Sequence, residues 1–168
     1  HINLAVSLYL RDYLQQAGAL VVMTREEDKD LADPGAKKRK TQDLHRRAEL
    51  VTEKQASMLI SIHMNSIPSI RWSGAQTFYY AQQHSDNKDL ATFIQDEIRV
   101  NLKNTDRVAK TIDGIYVLEA VKVPAVLVEV GFLSNPEEAG LLADENYQKK
   151  MAESIYHGIL RYASGERL

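Results

Sequence analysis

The stretch SMLISIHMNS, residues 57–66, decides the fold. Met58 to His63 is a short apolar run closed by polar residues, the mark of a buried strand, and it leaves a titratable ring where the strand should turn into a loop. A second run, PAVLVEVGF (124–132), is apolar from end to end except for Glu129. Strands this apolar are buried on both faces, as in parallel sheets covered by helices.

Helical segments stand between and around these runs. Residues 2–17 place Leu4, Leu8, Tyr9 and Leu14 near one helical face, and Gly18 supplies a left-handed stop. Ala19–Thr24 (ALVVMT) has the composition of a buried parallel strand. Thr41 is expected to cap a helix carrying Leu44, Ala48 and Val51. Gly74–Tyr80 (GAQTFYY) has strand composition, Leu90, Ile94, Ile98 and Leu102 mark a helix, and a short strand is expected near Ile115–Leu118. Asn135, Pro136 and Glu138 have the N-cap, first-position proline and third-position acid of a helix start, and Met151, Ile155 and Ile159 mark the last helix. The alternation predicts one α/β domain, residues 1–168: three layers, with a mostly parallel twisted sheet and helices on both faces.

Composition narrows the chemistry. At 44% apolar and 26% charged the chain is ordinary for a globular domain, and a formal charge of −2 gives no support for a nucleic-acid partner. The one basic cluster, Lys37–Lys40 (KKRK), follows Pro34 and Gly35 and reads as a solvated loop. With no cysteine, thiol catalysis, disulfides and cysteine-built metal sites are excluded, so any metal must use His and carboxylates. No Gly-rich phosphate loop or GxSxG elbow is present. No run reaches the roughly 18 apolar residues of a membrane span.

Ligands of an open α/β sheet bind beyond the carboxyl ends of its strands. His63 and Glu129 both stand near such an end, and could therefore meet at one rim. Each also has a plainer explanation: a strand-end histidine is commonly a hydrogen-bonded structural residue, and Glu129 could pair with Arg25 or Arg47. An unpartnered carboxylate there would cost several kcal/mol. His45, His84 and His157 lie in polar or amphipathic settings and read as solvated or capping residues.

LISIHMNS followed by GAQTFYY, and later VPAVLVEVGFLSNPEEAGLL, resembles the zinc-dependent N-acetylmuramoyl-L-alanine amidases of bacterial cell walls. The likeness covers nearly the whole chain. RWSGAQTFYY (71–80) and NTDRVAKTI (104–112) look most like the germination-specific branch of endospore formers, which acts on spore cortex peptidoglycan. The resemblance implies hydrolysis of the amide between the lactyl group of N-acetylmuramic acid and L-alanine. It implies zinc as cofactor, His63 as a metal ligand, Glu129 as the catalytic glutamate, and Asn65 and Arg107 as substrate-binding positions; Asn65 could instead orient His63, and Arg107 could be an ordinary salt bridge. Arg25 and Arg47 match positions of structural ion pairs. Peptidoglycan is the implied partner, with the need for an activator protein left open. Export to the cell wall or the spore intermembrane space is the implied location.

The family's other zinc histidine and its zinc glutamate belong to motifs that would precede the first helix, and His1 matches neither. A catalytic zinc takes three protein ligands, and only one is recognised here. The chain starts without an initiator Met, so an N-terminal truncation that removed the first, inner strand is expected, with little or no activity for these 168 residues alone. The alternative is a non-catalytic peptidoglycan-binding or regulatory domain with the same fold.

Overall fold

Strand β4 (Ala125–Phe132) organises the molecule, because seven of its eight residues are buried and it pairs on both edges. The computed structural model describes residues 1–65 and 67–168. β4 runs parallel to β1 (Leu59–Asn65) and antiparallel to β2 (Gln76–Tyr79), which in turn runs parallel to the two-residue β3 (Lys110–Thr111). The sheet order is β1-β4-β2-β3, so two of its three pairings are parallel and one is not.

Side-chain alternation along β4 divides the core in two. Val126, Val128 and Val130 face one layer, made by α1 (Ile2–Gln16), α3 (Asn87–Leu102) and α6 (Glu145–Ala163). Ala125 and Leu127 face the other, where Val51 of α2 (Arg39–Glu53) meets Leu118 of α4 (Tyr116–Ala120). Helix α5 (Pro136–Ala143) follows β4 and packs Leu142 into the first layer. Each fully buried Leu, Ile or Met contributes about 1.5–3 kcal/mol. Leu90, Ile94, Met151 and Ile155 therefore make the α3–α6 layer the main apolar store.

Several expectations hold at residue level. Gly18 has φ +91°, and Asn135 caps α5 by accepting the Glu138 amide at 3.1 Å. Others are corrected. Residues 19–24 form no strand: they run as coil, with Leu20 fully exposed. A strand is held by its ladder, and among the described residues nothing pairs with the outer edge of β1. Ile115–Leu118 is not a strand, because α4 begins at Tyr116; Gly114 turns with φ +81° and its amide donates to the Glu119 carboxylate, which closes a helical turn. The buried stripe of α1 is Val6 and Leu10 with Ile2, Tyr9, Tyr13 and Leu14 beside them; of the expected face, Tyr9 and Leu14 pack on the core while Leu4 and Leu8 do not join that cluster. That helix is apolar most of the way round, which blurs its period. Helix α2 starts at Arg39, ahead of Thr41, so Arg39 and Lys40 of the basic cluster lie in its exposed first turn.

The closest approach in the main layer is at Gly158, where an added Cβ would lie 2.4 Å from the Ile94 Cα and 2.7 Å from its nitrogen. Both atoms belong to helix backbone and cannot step aside. Gly158→Ala is expected to destabilise the domain by about 1–3 kcal/mol, the usual cost of overpacking. Urea unfolding checks this: the midpoint should fall with little change in slope.

Candidate active site

The register of β1 on β4 pairs Leu59 with Ala125 and continues in step to His63 opposite Glu129. Cross-strand partners point to the same face of a sheet, so the imidazole and the carboxylate stand side by side. The register breaks immediately afterwards, between His63 and Asn65, where the strand ends. On the other edge of β4, Glu129 is opposite Gln76 of β2. The row His63, Glu129, Gln76 therefore crosses three strands on the α2–α4 face. That face is dry lower down, where Leu59, Leu127 and Phe78 pack on Val51 and Leu118, and becomes polar at this rim.

Burial raises the Glu129 pKa above the ordinary carboxylate value, and its Oε2 is a buried atom with no hydrogen-bond partner. The expected alternatives for it are not realised. Arg47 Nε instead donates to Asp43 at 2.8 Å, and Arg25 Nη1 to Asp28 at 3.0 Å. Those two arginines are the structural ion pairs anticipated for them.

His63 keeps one side open to solvent. The protein packed around the rest of the ring, and then the Arg47 charge, lower its pKa, so the ring is neutral at pH 7 and keeps a lone pair for a ligand. Its Nε2 lies 2.9 Å from the Ser61 hydroxyl, two residues back on the same face. The Asn65 Oδ1 accepts from the Ile67 amide at 3.0 Å, not from His63.

Arg107 comes to the same rim by another route. Its Nε donates to the Ser73 carbonyl at 3.1 Å and its Nη1 to Gln76 Oε1 at 3.3 Å, while the guanidinium lies over Trp72 (5.8 Å) and Phe132 (5.5 Å). These acceptors are neutral, and among the described residues no carboxylate forms an ion pair with Arg107. Gln76 thus links Arg107 to the Glu129 row. Sequence reasoning missed it, since the antiparallel pairing of β2 with β4 cannot be read from GAQTFYY.

The other histidines do not join the site. His45 stacks on Tyr116 at 4.5 Å, His84 Nδ1 accepts the Asp86 amide ahead of α3, and His157 is 3.5 Å from Glu153 on one exposed turn.

The profile of N-acetylmuramoyl-L-alanine amidases matches residues 1–161. The chain belongs to that family of peptidoglycan hydrolases. It is 54% identical over 164 residues to the germination-specific N-acetylmuramoyl-L-alanine amidase of Bacillus subtilis, covering 96% of this chain and 69% of the relative. The CwlD amidase of Clostridioides difficile, solved in complex with the GerS lipoprotein, superposes with a TM-score of 0.93 at 39% identity, over 98% of this chain and 86% of that one. The catalytic domain of CwlV from Bacillus (Paenibacillus) polymyxa follows at 0.83 and 30%, over 98% and 84%. The α/β three-layer architecture is shared with these amidases.

The residues present fit zinc in kind but not in number. A neutral imidazole beside a buried, unpartnered carboxylate oxygen is suited to a cation. Among the described residues, however, no group of three His, Asp or Glu comes together that could hold one.

A carboxylate whose folded pKa is raised holds its proton more tightly when folded. Stability therefore falls as pH rises from the unfolded value toward the folded one, and the cost persists above it. In metal-free protein, Glu129→Gln should raise the melting temperature at pH 7 and leave it nearly unchanged at pH 4. Calorimetry at the two pH values checks the sign.

Proposed function

We propose that this chain carries the His63–Glu129 part of a zinc-dependent amidase site acting on spore cortex peptidoglycan. The observation that carries the reading is the neighbouring placement of a neutral imidazole and a half-buried acid whose Oε2 is buried and, among the described residues, unpartnered. His63 would be one zinc ligand. Zinc in such a site supplies Lewis acidity and a water of lowered pKa. Glu129 takes the proton of the attacking water and returns it to the departing L-alanine amine. The upward shift that burial gives the Glu129 pKa suits that role, since it makes the carboxylate a stronger proton acceptor than an ordinary one.

Arg107, with its unmatched charge at the rim, receives a carboxylate of the stem peptide. Asn65 keeps its amide NH2 for substrate while its Oδ1 shapes the turn. The cortex as target rests on the likeness to germination-specific relatives, as does an exported protein working at the cell wall or between the spore membranes. A lipoprotein is supported as a class of partner by the GerS complex of the C. difficile relative.

In zinc-loaded protein, Glu129→Gln should lower kcat about 10²–10⁴-fold, the usual worth of a general base, with zinc content unchanged. His63→Ala should lose the metal itself. The 168-residue polypeptide alone should bind zinc substoichiometrically at micromolar concentration in equilibrium dialysis. Full zinc retention by His63→Ala would overturn the assignment of His63, and turnover by Glu129→Gln at the wild-type rate that of Glu129.

A further inference from the structure

Glu138 is the third residue of α5, where an acid commonly reaches back to the N-cap amide. It does something else. Its residue is only 5% exposed, and the carboxylate turns inward to accept two backbone amides, Phe132 at 2.7 Å on Oε1 and Gly74 at 2.6 Å on Oε2. Such short charge-assisted bonds are among the stronger ones a protein makes. The room for the carboxylate is made by Gly131: a Cβ there would lie 2.2 Å from Oε1. The Tyr147 phenol, pushed up to about 12 by burial and then by the Glu138 charge, accepts from the Asn104 side-chain amide.

The two clamped amides belong to the two segments that hold Arg107. Ser73, whose carbonyl accepts Arg107 Nε, immediately precedes Gly74, and Phe132 supplies one of the rings beneath the guanidinium. Gly74, at φ +94°, leaves no space for a side chain, since its Cβ would meet Thr105 Oγ1 at 2.9 Å. That hydroxyl donates to the Ala75 carbonyl and accepts the Arg107 amide. From the far side the buried Gln95 amide group donates to the carbonyls of Ala75 and Arg107.

We propose that Glu138 is a positioning residue of the amidase site: by bridging Gly74 and Phe132 it sets the place of Arg107 at the rim, and so the binding of the stem-peptide carboxylate. This rests on the reading of Arg107 as a substrate contact, and the test separates the two.

Trp72 is the only tryptophan and lies against Arg107, so its fluorescence reports on that contact directly. The probe is N-acetylmuramoyl-L-alanyl-D-glutamate, titrated into metal-free protein, where it stays intact. Glu138→Gln keeps the side-chain volume but only one acceptor oxygen. It should change the Trp72 emission of the free protein and weaken the probe about tenfold, as Arg107→Ala does, the scale of one lost charged contact. Because Glu138 acts through Arg107, the double variant should bind no more weakly than Arg107→Ala. Should Glu138→Gln fail to fold, Glu138→Asp, one methylene shorter, should move both readouts the same way by less.

Wild-type emission and affinity together with a lowered melting temperature would show a purely structural residue and overturn the proposal, as would additive losses in the double variant. If Arg107→Ala binds the probe normally while Glu138→Gln still alters Trp72, Arg107 is no substrate contact, and the hold of Glu138 on it is supported.

Discussion

The parallel register of β1 on β4 is the constraint on which the site depends. A strand pair shifted by one residue sends each side chain to the opposite face, so His63 meets Glu129 only if Leu59 meets Ala125 four residues earlier. That register is fixed by burial. Ile60, Ile62 and Met64 must turn toward α1 and α6, which leaves Leu59, Ser61 and His63 on the α2–α4 side. The chemistry is thus placed by apolar residues that take no part in it.

Where that row leaves the apolar layer, unpaired polarity begins. Among the described residues, Glu129 Oε2 meets no hydrogen-bond partner, while Arg107, beyond Gln76, forms no ion pair with a carboxylate. Had the two met, each would have neutralised the other. Gln76 stands between them and keeps an acid able to act as a base and a cation able to receive an anion. The rim around them is built from loops, yet these are tied down by buried groups: Gln95 on the β2 side and Glu138 on the β4 side.

Much of this was legible in the sequence, for identifiable reasons. Strand β4 announces itself because a strand buried on both faces is apolar throughout, and Glu129 stands out as the one acid in it; β1, expected to be buried likewise, is an edge strand with no fully buried residue. The start of α5 was readable because Asn135 and Pro136 act locally. Residues 19–24 were misread because strand composition says nothing about whether a partner edge is available. Ile115–Leu118 failed because four apolar residues carry no period. Gln76 and the inward turn of Glu138 depend on pairings between segments tens of residues apart, which no local pattern records.

The measurement that bears most directly on the account is the identity of the bond cut. Cortex peptidoglycan would be incubated with the metal-loaded enzyme, and the soluble products sequenced from their amino ends. The account predicts new amino termini on L-alanine alone, with no new reducing sugar ends. Termini on any other residue, or release of reducing ends, would contradict it.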